Sequence, residues 1–203
     1  MDIKKVVIIG GGIAGRNVAR ELLRKSYPGE IHLIRKETHP SYSPCGIPFV
    51  ISGEIPDMED ILFPKLDNRF KDKGVNILSG TVIEKIDLEN KVIKAYNTEL
   101  PYDILIIATG RKPSIPPIPG KDLDGVHGLT NYEDGLRLFE NLEGIKKATV
   151  IGAGFIGMEV ATAFVKRGIS TTVVEIKDNI LPDFCLLYTS DAADELDGVD
   201  LGG

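Results

Sequence analysis

Residues 5 to 15 read KVVIIGGGIAG, and residues 148 to 157 read ATVIGAGFIG. In both, an apolar run of strand length ends in Gly-x-Gly-x-x-Gly and a helical period follows. Few features constrain a fold as tightly. The first glycine allows a sharp turn, the second lets a phosphate approach the backbone, and the third lets helix and strand pack closely. The helix start then offers N–H groups without intrahelical partners to an anion. After Gly10, Gly12 and Gly15, the apolar positions Ile13, Val18, Leu22 and Leu23 keep helical spacing up to Ser26-Tyr27-Pro28-Gly29, and Ile31 to Ile34 form a second strand. After Gly152, Gly154 and Gly157, a helix over Met158 to Lys166 breaks at Gly168, and a strand runs from Thr171 to Glu175.

Two βαβ units of this kind predict an α/β chain with two Rossmann-like, doubly wound, three-layer dinucleotide-binding domains. Glu175 lies 18 residues past Gly157, near the spacing of about 20 at which an acid meets the ribose. A carboxylate there accepts hydrogen bonds from both ribose hydroxyls and repels a 2′-phosphate, so NADH is expected over NADPH. In the first unit Arg35 stands 20 residues past Gly15, where a guanidinium can meet a 2′-phosphate, stack on adenine or hold a phosphate. Two turns call for two dinucleotides, a combination that points to FAD plus a nicotinamide.

Between the turns, Pro56 to Lys73 reads as irregular and then helical, with Leu62, Leu66 and Phe70 four apart. From Val75 the period falls to two, with Asn90 at a hairpin turn, as in a β-meander inserted in the first domain. Ile104 to Ile107 is a buried strand ending in Ala108-Thr109-Gly110, small enough for close approach to a cofactor. RKPSIPPIPG follows as a stiff linker with four prolines. The expected domains are 1–118, a crossing linker 119–145, and 146–184 as the first βαβ of a truncated second domain.

Residues 41 to 49, SYSPCGIPF, frame Cys45 between Pro44 and Pro48. Proline is tolerated in the first turn of a helix. A helix starting at Gly46 would make Pro48 its third residue and Cys45 its N-cap. The sulfur would then face free N–H groups and the positive end of the dipole, which lowers a thiol pKa from about 8.5 by a unit or more. This is a frame for a nucleophile; an inert buried cysteine is the alternative reading.

Four stretches in order, VVIIGGGIAG, SYSPCGIPF, YDILIIATGRKPSIPPIPG and ATVIGAGFIGMEVA, resemble the pyridine nucleotide-disulfide oxidoreductase family, and its single-cysteine branch of coenzyme A-disulfide reductases and NADH oxidases. Pro44, where the branch usually carries Asn, and Arg35, where it usually carries an acid, depart from the pattern. The resemblance implies that Cys45 takes electrons from NADH by way of FAD and cycles through a mixed disulfide or a sulfenic acid. The implied cofactor contacts are Gly10, Gly12, Ile13, Ala14, Gly15, Arg35, Lys36, Ser41, Cys45 and Val82, with Ala108, Thr109, Gly110 and Arg111. For the nicotinamide they are Gly152, Gly154, Phe155, Ile156, Gly157, Glu159 and Glu175. A small thiol or disulfide is the implied partner, coenzyme A disulfide foremost, and the parent is implied to be a homodimer. Rival readings are an NADH oxidase or peroxidase, a ferredoxin or rubredoxin reductase with an inert Cys45, and a flavin-binding redox sensor.

The segment Cys185 to Gly203 lacks Lys and Arg and carries five acids. Cys185 to Glu195 resembles a one-frame translation of a sequencing adapter, so 185–203 is expected to be non-native. Without it the chain has 25 acidic and 24 basic residues, which suggests no nucleic-acid partner. No apolar run reaches the roughly 18 residues of a membrane span, no signal peptide is evident, and a cytoplasmic location is expected. His32, His39 and His127 lack ligand spacing, and no metal is expected. Stopping after two strands of its second unit, the chain alone is expected to aggregate and to be inactive.

Overall fold

The computed structural model describes residues 4–95 and 98–181, so the readings of 185–203 lie outside the described residues. The first apolar run becomes strand β1 (Val6–Ile9), with all four side chains buried. A Val/Ile run buried on both faces suits the interior of a parallel sheet. Strands β2 (Ile31–Ile34) and β7 (Ile104–Ile107) flank β1 in parallel, and β3 (Val75–Leu78) pairs with β2 beyond it. The order β3-β2-β1-β7 is that of a doubly wound sheet, as expected.

The two-residue period of the strands sorts the core. Val6, Ile8, Ile31 and Leu33 face α1 (Ile13–Arg24) and α3 (Pro64–Asp72), packing on Ala19, Leu22 and Phe70. Val7, Ile9 and Ile34 face the opposite way and meet Ile93 and Tyr102, which belong to the antiparallel insertion and the turn that follows it. That insertion is β4 (Ile83–Asp87), β5 (Val92–Ala95) and β6 (Thr98–Pro101), in that spatial order. Leu62, read with the helical period, instead bridges Tyr42 ahead of the helix, which begins at Pro64.

The chain divides into two compact units. Among the described residues, the first takes those within Met1–Pro44, Ile61–Leu123 and Gly128–Thr130; the second takes those within Cys45–Asp60, Asp124–His127 and Asn131–Gly203. Cys45–Asp60 joins the second unit, whereas the sequence reading groups it with the first domain. The reason is helix α2 (Ile47–Ser52), whose Ile47, Val50 and Ile51 are buried within that unit.

The second unit also holds parallel strands β8 (Lys147–Ile151) and β9 (Ser170–Val174), joined by α5 (Phe155–Lys166). α5 begins at Phe155, three residues before the Met158 read from the sequence. A further helix, α4 (Tyr132–Glu140), occupies the segment read as a linker. Its N-cap is Asn131, whose side chain accepts from the Asp134 N–H at 2.8 Å, an interaction worth about 1 kcal/mol. Gly135 lets α4 lie close to α2, since a Cβ there would sit 2.9 Å from Ile47 Cγ2. Among the described residues no helix is long and apolar enough to cross a membrane.

Candidate functional site

The two glycine turns adopt one geometry. Gly10 and Gly152 have φ of +115° and +101°, a region closed to most side chains. Their N–H groups donate to the neighbouring strand, Gly10 to Ile34 O at 2.7 Å and Gly152 to Val174 O at 2.8 Å. Gly12 and Gly154 are extended N-caps, with φ/ψ of −72°/−170° and −74°/−179°. A Cβ on either would meet nothing within 4 Å, so each leaves an open cradle at a helix start. A Cβ on Gly15 would strike the Gly10 carbonyl oxygen, and one on Gly157 the Gly152 carbonyl oxygen. The open cradle, the N–H-bearing helix start and the close-packed third glycine fit a dinucleotide pyrophosphate at both turns.

At the first turn the structure brings together residues far apart in sequence. The space a Cβ on Gly10 would need is taken by the Ala108 carbonyl, with the Thr109 nitrogen at 3.0 Å, so the end of β7 runs against the turn. Gly110 continues this segment with φ +74°. Ile13, Ala14, Thr109 and Arg111 are exposed, as is Val82, whose neighbour Thr81 donates its N–H to Arg35 O at 3.0 Å. Lys36 is exposed; Arg35 is not.

Arg35 is only 7% exposed, and its guanidinium lies 2.8 Å from the carboxylate of Asp67 on α3. The stem of Arg35 lies over Gly11, where a Cβ would sit 2.8 Å from Arg35 Cδ. Ser41 is buried as well, and its hydroxyl donates to Asp67 at 2.6 Å. Arg16, in the first turn of α1, donates to Tyr42 O at 3.4 Å. Burial pulls its guanidinium below the ordinary arginine value, while Asp67 and then Tyr42 push it back up. Asp67 and Arg16 carry no signal of their own in the sequence; the one hint is Arg35 itself, a charge at a buried strand end that demands a counter-ion.

At the second turn Glu175 bends back on the glycine loop. One carboxylate oxygen accepts from the Ala153 N–H at 2.6 Å, and the other from Ile176 and Lys177 N–H at 2.9 and 3.0 Å. The Ala153 bond is the main cause that holds the carboxyl below its ordinary 4.5, followed by the Lys177 bond, with desolvation opposing. A depressed folded-state pKa contributes stability above the unfolded value and loses it as pH falls through the folded one. Glu175→Gln is therefore expected to lower the melting temperature near neutrality and to converge with the parent below about pH 4.5. Melts across that range check this, and a constant difference down to about pH 3 would contradict it.

Cys45 is exposed and lies in a 3₁₀ turn, Pro44–Gly46. The N-cap of α2 is Gly46 and not Cys45, and Pro48 is the second helical residue and not the third. The cause is that the chain enters α2 through that tight turn, which uses up one more residue than the sequence reading allowed. Arg167 holds the other end of α2, donating to Ile51 O at 2.6 Å and Val50 O at 3.3 Å. Between α2 and α5, inside the second unit, opens a mainly apolar cleft of about 340 Å³. Pro48, Phe49, Phe155, Met158 and Glu159 line it, so residues just after Cys45 and just after the second turn share one wall. Ile156 is exposed and is not among the lining residues. Lys166 closes the rim on Glu54 at 2.9 Å.

Residues 4–196 match the pyridine nucleotide-disulphide oxidoreductase family. An NADH oxidase of Methanocaldococcus jannaschii is 39% identical over 187 residues, which are 89% of this chain and 42% of that protein. Among solved structures, a NAD-dependent persulfide reductase from A. fulgidus shares 34% identity at a TM-score of 0.83, over 97% of this chain and 39% of that one. Reduced Bacillus anthracis CoADR-RHD shares 29% identity at a TM-score of 0.86, over 97% and 37%. The chain thus spans about two-fifths of the proteins it matches.

Proposed function

From the premise that the chain belongs to the pyridine nucleotide-disulphide oxidoreductase family, we propose that its parent protein uses NADH to reduce a small disulfide or persulfide through FAD and Cys45. Coenzyme A disulfide is the foremost substrate. The observation that carries this reading is an exposed cysteine between two prolines in a chain that repeats one dinucleotide turn. The persulfide reductase and CoADR-RHD similarities support it.

In this reading the first turn holds the FAD pyrophosphate at Gly10, Gly12, Ile13, Ala14 and Gly15, with Ala108 to Arg111 alongside. Ser41, Lys36 and Val82 belong to the same site. The second turn holds NADH, with Gly152, Gly154 and Gly157 on its phosphates, and Glu175 disfavours a 2′-phosphate by like charge. Phe155, Ile156 and Glu159 belong to the nicotinamide end, and Phe155 and Glu159 line the apolar cleft beside it. A bound flavin supplies the two-electron relay between nicotinamide and sulfur. The Cys45 sulfur attacks one sulfur of the disulfide, forms a mixed disulfide and releases the first thiol. Two electrons from NADH then cleave the mixed disulfide, releasing the second thiol and restoring Cys45. One NADH and one proton balance two thiols formed.

The similarity to an NADH oxidase favours a second reading, in which Cys45 cycles through sulfenic acid and the acceptor is oxygen or peroxide. Reduced parent protein offered coenzyme A disulfide, oxygen and peroxide in parallel separates them. Faster reoxidation by the disulfide, with thiol released in proportion to NADH, is expected; reoxidation by oxygen or peroxide alone would replace the first reading with the second.

A further inference from the structure

The first unit buries three polar side chains at one point: Arg35 at 7% exposure, Asp67 at 5% and Ser41 at 3%. Arg35 reaches Asp67 at 2.8 Å and donates from Nε to Ser79 Oγ at 2.9 Å. Ser41 donates its hydroxyl to the other Asp67 oxygen at 2.6 Å and its N–H to Asp67 at 3.4 Å. A buried ion pair adds little net stability over an apolar pair of the same size, so its presence is better explained by the geometry it fixes.

That geometry is the segment leading to the thiol. Ser41 O accepts from the Phe63 N–H at 2.6 Å, Ser43 N–H donates to Ile61 O at 3.0 Å, and Tyr42 bridges Leu62. Arg16 adds its bond to Tyr42 O at 3.4 Å. Three consecutive residues are thus tied down before Pro44, whose ring fixes φ, and the next residue is Cys45. Pro44 alone stands between the tied segment and Cys45 in the chain.

We infer that Asp67, oriented by Arg35 and bonded to Ser41, is a positioning residue for the Cys45 thiol. The guanidinium at the end of β2 serves this network and not recognition of a 2′-phosphate. The inference rests on the proposed role of Cys45.

The test uses the full-length, flavin-loaded protein. Ser41→Ala removes one hydroxyl and keeps the Arg35–Asp67 pair, Ser41→Thr restores a hydroxyl, and Asp67→Asn removes the charge. Ser41→Ala and Asp67→Asn are expected to lower kcat for thiol release about tenfold more than they lower flavin reduction by NADH, the scale on which small misplacements act. The Thr variant recovers most of that loss. The rate of Cys45 alkylation by iodoacetamide, a readout independent of turnover, shifts about threefold or more in the same two variants. If Asp67→Asn does not fold, the Ala and Thr pair at position 41 decides. Release and alkylation within about twofold of the parent in Ser41→Ala, while Cys45→Ser abolishes release, would overturn the positioning role and leave the function standing. Unchanged release in Cys45→Ser would overturn the function itself.

Discussion

Cys45→Ser in the intact parent protein is expected to lower thiol release from a small disulfide by roughly a thousandfold or more, while NADH still reduces the bound flavin. Serine keeps the size and exposure of the side chain, so the 3₁₀ turn and α2 should be undisturbed. What it removes is the proposed nucleophile. A hydroxyl has no anion at neutral pH and forms no bond to sulfur that electrons can cleave. Rapid-mixing measurements of flavin reduction, run beside a thiol assay, separate the half-reactions. A loss confined to the second half is the expected pattern, and an unchanged thiol assay would favour an inert cysteine.

Asp67→Ala is the second large effect, on stability. It leaves Arg35 with no counter-ion at 7% exposure, with the partly desolvated Arg16 nearby. Removing one member of a buried pair typically costs about 3–5 kcal/mol, which for a domain of this size lowers Tm by roughly 6–20 °C. Replacing both partners by apolar residues, Arg35→Met with Asp67→Leu, should recover most of that loss because no charge is left buried. Thermal melts of the single and double variants check both statements. A single-variant loss below about 1 kcal/mol would show that solvent screens the pair as it does on a surface.

The contrast between the two strand ends shows what a sequence can reveal here. Glu175 was readable because its spacing from Gly157 follows from the repeat length of a βαβ unit, and its partners lie on the adjacent glycine loop and on its own next two residues. Arg35 stands at the same repeat position, at the end of β2, yet its partner Asp67 lies on α3, in a register no local pattern encodes. Asp67 falls between Leu66 and Phe70 in a helical period that reads as apolar face and solvent face, so nothing local marks it as buried. Most strands were legible because Val and Ile runs dictate the sheet, and β4 to β6 because their period is two. Val75–Leu78, read with the meander, instead pairs in parallel with β2. Ile104–Ile107, read as buried, is exposed at both ends. α4 was hidden by Gly135 and by the proline-rich stretch before it, although Asn131 and Asp134 carry a capping signal. The start of α2 shifted because two prolines admit either a direct helix start or a 3₁₀ entry, and packing decides between them. The assignment of Cys45–Asp60 to the second unit likewise reflects tertiary burial of α2.

Counting reducing equivalents tests most directly the proposal that the Cys45 sulfur exchanges electrons with a bound flavin. In an anaerobic titration of parent protein first treated with coenzyme A disulfide and freed of the excess, the mixed disulfide at Cys45 and the flavin each take two electrons, so about two NADH per flavin should be consumed, against about one in Cys45→Ser treated alike. One NADH per flavin in both proteins would contradict it.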